Sequence, residues 1–299
     1  MTKLLKWFVT PGFPQGAFWA CLTALVSVLN DVITRFVGSR LDGLEVGFFR
    51  YFFSMLTVLP FMMRRGRTAF KTPNPKMHFW RATIGVVAIA LYIYAVIHMP
   101  LTEVVSLSFT QPIFFLPLAV IFLGEGAGLN RWVATVIGFG GIVALLRPGG
   151  DTFQYMALVP IASAFCFALL DILAKKMVVV RERTVTMLFY FSFGTTLVGL
   201  VPALLVWKTP TLNELFWLLI LGMGANLIQV CLFQAFSLTE AAALAPFRYV
   251  ELIYASIFGY VFFQQVPMLT TYIGAAIILG STIYLSYSER LQGKTIYIK

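Results

Sequence analysis

The sequence predicts an all-α membrane protein, ten transmembrane helices arranged as two inverted five-helix repeats. Three observations carry that prediction. Of 299 residues, 60% are hydrophobic and 11% charged, and the mean hydropathy is +0.87, more apolar than a soluble domain can be across interior and surface together. Ten apolar segments, near 15–37, 44–63, 77–98, 101–123, 130–147, 154–177, 184–207, 213–236, 240–263 and 268–287, each approach the roughly 20 residues that cross a hydrocarbon layer. Finally, the chain matches itself: LNDVITRFV at 29–37 falls on LLDILAKKM at 169–177, and at the same offset FTQPIFF at 109–115 falls on YVELIYA at 249–255.

Each half contains five spans, an odd number, so the two copies sit in the membrane with opposite orientations. Residues 1–150 form the first repeat and residues 151–299 the second, which ends in a short cytoplasmic tail. The connections are too short for a folded extramembrane domain, so function resides in the membrane-embedded part.

Span one follows MTKLLKWFV, whose basic start resembles a leader. No small-residue cleavage pattern follows, and the next apolar run is span-length, so this is a cytoplasmic flank. The span ends in NDVITR, with Asp31 and Arg35 four residues apart and placed to pair on one helix face. Span two holds Arg50 in FFRYFF, with no acid near it on its own helix. Its counter-charge must come from another helix or from a solute, and guanidinium binds a carboxylate in bidentate fashion. Span three carries Tyr92 and Tyr94, and span four carries Gln111 beside Pro112 and Pro117. Those prolines free backbone carbonyls that can line a cavity or form a bend. Span five presents the small face Ala134, Gly138 and Gly141, suited to close helix contact.

Span six repeats span one, placing Asp171 and Lys175 where Asp31 and Arg35 stand. Spans seven and eight follow, the latter with Asn226, Gln229 and Gln234. The tripeptide LTE occurs at 101–103 and at 238–240, three residues short of the repeat offset, so the second half gains three residues just before APFRYVEL at 245–252. In span nine Arg248 and Glu251 lie three apart on one face, with Glu251 near the midplane. They either pair with each other or face a solute. Span ten carries Ala276 and Gly280. Trp19, Tyr92, Tyr94, Phe247, Tyr249 and Tyr254 lie away from interfacial depths, where aromatic faces can hold heterocycles or organic cations.

The net charge of +10 follows membrane sidedness rather than a nucleic-acid surface. Arg35, Arg40, Arg147 and Lys208 fall on one side, Arg50 and Arg248 within the membrane, and all other Lys and Arg residues on the opposite side. That bias puts both termini in the cytoplasm. Cys21, Cys166 and Cys231 fall mid-helix without paired spacing and read as small apolar side chains. No GxxxxGK[ST], dinucleotide fingerprint, HExxH or GxSxG occurs. Neither a cofactor nor a metal is implied, and solute movement without ATP hydrolysis is the leading expectation.

The ten-helix duplication, the Arg50 helix, RWVATVIGFGGIVALLRPG at 131–149 and YVEL at 249–252 resemble the EamA type of the drug/metabolite transporter superfamily over nearly the whole chain. More narrowly, NDVITRFVGSRL, EVGFFRYFFS, ALLDILAKK, QAFSLTEAAALAPFRYVEL and YSE at 287–289 resemble S-adenosylmethionine uptake transporters of intracellular bacteria. The resemblance implies a multi-pass protein of the bacterial inner membrane, a central cavity opened alternately to each side, and uptake of S-adenosylmethionine in exchange for S-adenosylhomocysteine. Carried onto this chain, it places Trp19, Asp31, Tyr94, Gln111, Asp171, Arg248, Tyr249 and Glu251 at the cavity. Arg50 or Arg248 would take the substrate carboxylate, Glu251 the ammonium or sulfonium, and aromatics such as Phe247 the adenine. The implied partners are that solute and membrane lipid, with no nucleic acid, and oligomeric state is left open. One departure stands out: where span four ends in Gly124-Glu125, span nine ends in Gln264-Gln265. Two other readings remain: an exporter of amino acids or other aromatic or cationic metabolites, and a membrane enzyme using Asp31 and Asp171 as paired acids.

Overall fold

The computed structural model describes residues 13–66, 70–123, 155–180, 182–238 and 250–266, with isolated helical positions between 132 and 140 and between 269 and 284. Nine helices are delimited: α1 Phe13–Val37, α2 Gly43–Arg64, α3 Pro75–His98, α4 Leu101–Ser108, α5 Gln111–Leu123, α6 Leu158–Val179, α7 Thr184–Leu205, α8 Leu212–Leu238 and α9 Val250–Phe263. A 3₁₀ turn, Tyr155–Ala157, leads into α6. No strand occurs among the described residues. Seven helical runs are long and apolar enough to cross a membrane, α4 and α5 counting as one. The described part of α9, at 14 residues, is shorter, and spans five and ten fall largely outside the described residues.

The helices stay apolar on their outward faces, as lipid demands. On α7, Leu197, Val201 and Leu204 are all more than half exposed. Buried positions on α1 (Ala20, Ala24, Val28, Asp31 and Thr34) recur every three or four residues, which defines its inward face. The packing repeats between the halves: α1 lies on α8 as α6 lies on α3, α2 on α8 as α7 on α3, and α9 on α1 as α5 on α6. Two further contacts, α2 with α7 and α4 with α9, join equivalent spans of the two copies. An internal two-fold relation between halves produces this pattern.

Span four is not one helix. The N–H groups of Phe109 and Thr110 reach back only three residues, to Ser106 and Leu107 at 3.3 and 3.0 Å, and the Thr110 carbonyl restarts the ladder with Ile113 and Phe114. Pro112 lacks an N–H and its ring would strike the carbonyl four residues earlier, so the chain breaks there and Gln111 opens α5. Arg35 also departs from expectation. Its Nη1 donates to the Met99 carbonyl at 2.6 Å, and its guanidinium lies over the Phe263 ring at 4.8 Å. The expected Asp31–Arg35 pair therefore does not form, because α3 and α9 supply Arg35 with better-placed partners.

Gln264-Gln265, the departure noted in the sequence, terminates α9. Gln264 N–H donates to the Tyr260 carbonyl at 2.9 Å, the bond of the αL capping motif, and Gln265 N–H reaches the Gly259 carbonyl at 3.1 Å. Gln264 accordingly adopts φ of 55°, a left-handed conformation that favours glycine. The Gln265 side chain accepts from Leu101 N at 3.0 Å, capping α4 from across the bundle. Replacing Gln264 by Gly should stabilise the protein by about 0.5–1 kcal/mol, read as a higher unfolding temperature in detergent. An unchanged or lower midpoint refutes the strain argument.

Candidate substrate site

Asp31 is 2% exposed on the inward face of α1. Tyr92 on α3 donates its hydroxyl to Asp31 Oδ2 at 2.8 Å. Arg50 from α2 and Glu251 from α9 both lie within Coulombic reach of Asp31, and Ser27, one turn earlier on α1, donates to Glu251 Oε1 at 2.7 Å. Arg50 is 9% exposed, yet its Nε and Nη1 have no hydrogen-bond partner among the described residues. Buried donors without acceptors are costly. Four helices thus bring two carboxylates, two hydroxyls and one guanidinium with spare donors to one locus.

A second locus stands at the repeat-related position. Gln111, at the start of α5, donates Nε2 to Asp171 Oδ2 on α6 at 2.6 Å. Asp171 is the repeat mate of Asp31 and Gln111 that of Glu251, so an acid and an amide here replace two acids there. Arg81 from α3 lies within Coulombic reach of Asp171 and sits over the Phe191 ring at 4.9 Å.

A polar bridge holds α2, α7 and α8 beside these loci. Asn226 Nδ2 donates to the Ser54 carbonyl at 2.8 Å and to Thr57 Oγ1 at 2.6 Å, while Ser54 Oγ donates to Asn226 Oδ1 and lies 2.8 Å from Ser192 Oγ. On α1, Asn30 Nδ2 donates to Leu221 O at 3.2 Å. These bonds fix the helix carrying Arg50 and the helix carrying Asp31 against the same partner, α8.

The structure thus brings together Asp31, Arg50 and Glu251 at one locus and Gln111 and Asp171 at the other. Trp19 lies elsewhere: it is half-buried near the opposite end of α1, packed with Ala20 and Ala235 and edge-on to Phe18. Tyr94 is 43% exposed and stacked on His98 at 4.2 Å, turned away from Asp31, while Tyr92 two residues earlier faces it. Phe247, Arg248 and Tyr249 lie outside the described residues. Two participants were not among the expected site residues. Ser27 carried the signal of a polar atom on the inward face of an apolar helix, and Arg81 was counted with the cytoplasmic flanks although α3 carries it inward; Tyr92 was expected as an aromatic face and takes part through its hydroxyl. A pocket of about 20 Å³ between α2, α3 and α7, lined by Gly43, Gly47, Tyr51, Ile89 and Thr195 among others, is far too small for a nucleoside.

The profile of the EamA-like transporter family matches twice, at residues 14–147 and 154–287, which places the two copies at the same offset as the self-match. The chain is 40% identical over 275 residues to an S-adenosylmethionine uptake transporter of Rickettsia bellii, covering 92% of this chain and 94% of that protein. It is 39% identical to the protein of the same name from Rickettsia prowazekii, again over 92% and 94%. A riboflavin transporter of Vibrio cholerae is 28% identical over 92% and 94%. A solved crystal structure superposes with a TM-score of 0.62 at 16% identity, covering 93% of this chain and 97% of its own, a likeness of fold alone.

Proposed function

Because the chain belongs to the EamA-like transporter family, we propose that it carries S-adenosylmethionine across the bacterial cytoplasmic membrane by alternating access, in exchange for S-adenosylhomocysteine. It is a multi-pass membrane transporter and not an enzyme. The observation that carries the substrate reading is the Asp31 locus: the buried Asp31 and the half-buried Glu251 gathered with a buried guanidinium whose Nε and Nη1 have no hydrogen-bond partner among the described residues.

S-adenosylmethionine presents a carboxylate, an ammonium and a sulfonium. The spare donors of Arg50 suit the carboxylate in bidentate geometry, and Asp31 and Glu251 suit the two cationic groups. A solute that brings both signs leaves no charge of the locus uncompensated, which a purely apolar or purely cationic solute does not. Riboflavin, the solute named for the 28% identical relatives, carries no such cations and would leave the acids unanswered. Both termini are cytoplasmic in this reading, supported by the sidedness of the basic residues. The repeat relation supports rocking of one half against the other around the paired loci, and S-adenosylhomocysteine keeps the amino-carboxylate end while losing the sulfonium charge.

The test is uptake of labelled S-adenosylmethionine into vesicles of the purified protein, with and without S-adenosylhomocysteine inside. Saturable uptake that rises with internal S-adenosylhomocysteine is expected. Absence of saturable uptake under both conditions removes the substrate reading, and uptake indifferent to the internal solute removes the exchange.

A further inference from the structure

Arg81 on α3 is half-buried, with its Nε and Nη1 atoms out of reach of solvent, and neither the span count nor the Asp31 locus uses it. Its Nε and Nη1, like those of Arg50, have no hydrogen-bond partner among the described residues. Only its charge is answered, by the face of Phe191 and by Asp171 within Coulombic reach. The two arginines enter from opposite ends of the bundle. Arg50 is the eighth residue of α2 counted from Gly43, and Arg81 the seventh of α3 counted from Pro75, and the two helices run antiparallel. Gly43 and Gly47 of α2 stand against Tyr94, Ile93 and Ile89 of α3, so at about 1.5 Å per residue the Cα atoms of Arg50 and Arg81 are separated by roughly 10 Å along the bundle. Tyr51, 7% exposed, lies within Coulombic reach of both and packs edge-on against Phe191 at 5.4 Å.

Each arginine therefore has its own acid, and the two acids are repeat mates. One locus offers Asp31 with Arg50, the other Asp171 with Arg81. An α-amino-carboxylate needs an acid for its ammonium and a forked donor for its carboxylate. We propose that Arg81 and Asp171 form a second binding station for the amino-carboxylate end of the substrate, on the side of the membrane where the 64–75 loop lies. Gln111 holds the Asp171 carboxylate in place from the start of α5. The substrate passes between the stations as the halves rock, its amino-carboxylate end held at both limits of the movement. This inference rests on the transport reading above and assigns Arg81 a substrate contact within it.

The experiment measures initial rates of labelled S-adenosylmethionine exchange in right-side-out and inside-out membrane vesicles, preloaded with unlabelled S-adenosylmethionine, for the full-length protein and for Arg81→Gln. Arg81→Gln is expected to raise KM at least tenfold when substrate is presented on the 64–75 side and less than threefold on the other side. Inhibition by 5′-methylthioadenosine, which lacks the amino-carboxylate, should stay within twofold of wild type. A structural role would lower the maximal rate on both faces and leave KM alone. If Arg81→Gln does not reach the membrane, Arg81→Lys carries the same comparison, because it keeps the charge but not the fork. A KM unchanged on both faces, raised equally on both, or a matching loss of methylthioadenosine inhibition overturns the assignment. Wild-type vesicles inert from both faces overturn the transport reading and this inference together, whereas an active wild type with an insensitive variant overturns this inference alone.

Discussion

Asp31→Asn should reduce transport of S-adenosylmethionine by ten- to a hundredfold in catalytic efficiency while leaving the protein folded. Asparagine has nearly the volume of aspartate, and its carbonyl oxygen still accepts the Tyr92 hydroxyl that now lies 2.8 Å from Oδ2. Packing on the inward face of α1 is therefore preserved. What disappears is a charge in a place where water does not compensate. Hydrogen bonds to charged groups contribute about 1.5–3 kcal/mol, which corresponds to the stated loss for a cationic group of the substrate that no longer meets Asp31. Arg50, within Coulombic reach, also loses part of its counter-charge. The measurement is initial uptake rate against concentration, with unfolding temperature in detergent as the control. Uptake within twofold of wild type at normal stability would show that Asp31 is a packing residue. Asp171→Asn is the informative companion, since its locus pairs the acid with Gln111 and has one carboxylate fewer to lose.

The repeat was legible because its evidence is discrete. An acid, a base four residues on, and a polar position in span four recur at one offset, and the structure then repeats the helix contacts in the same order. The break at Phe109-Thr110 was not, because hydropathy averages composition and stays high across it, whereas the break is a matter of backbone hydrogen bonds around Pro112. Pairing Asp31 with Arg35 treated α1 as an isolated helix. In the bundle the Met99 carbonyl and the Phe263 ring hold the guanidinium and Tyr92 takes the carboxylate. The choice between Tyr92 and Tyr94 needed the rotational phase of α3. Two residues apart, they point about 200° apart, and a helix apolar nearly all round gives no phase. Arg81 was misplaced for a similar reason, since a residue seven positions into a helix with a long side chain can end at the surface or well inside.

That comparison also separates what the repeat holds fixed from what it varies. The close contacts are kept: Gly222 meets Ser54 across α8 and α2, and at the repeat-related place Gly194 meets Ala82 across α7 and α3. The charges are kept only in part: Asp31 and Asp171 correspond, but Glu251 stands where the first copy has Gln111, and Arg50 where the second has Tyr190. In the transport reading proposed above, a symmetric frame carrying unlike polar groups would let the two loci bind one solute with different strength.

Gly222→Leu is expected to remove most folded protein, and the reason lies in what its side chain would meet. A Cβ at 222 would stand 2.6 Å from Phe53 Cβ, 2.8 Å from Ser54 N and 2.9 Å from Arg50 O. Two of these are backbone atoms of α2, which cannot turn aside as the end of a flexible side chain can. The helices must move apart, and overpacking of this kind costs about 1–3 kcal/mol or more. The shift would also draw Asn226, one turn along α8, away from Ser54 and Thr57, breaking bonds of 2.8 and 2.6 Å at about 1 kcal/mol each. Arg50 would move with α2, so any protein that survives should transport poorly. Gly194→Leu tests the same contact in the other half, where a Cβ would lie 2.6 Å from Ala82 Cβ. The control is Gly199→Ala, whose Cβ would meet only Val86 Cγ2 at an ordinary 3.8 Å and should leave the unfolding temperature nearly unchanged. If Gly222→Leu matched that control in folded yield and midpoint, the close approach of α2 and α8 could not be what seats Arg50, and the locus around Asp31 would need another support.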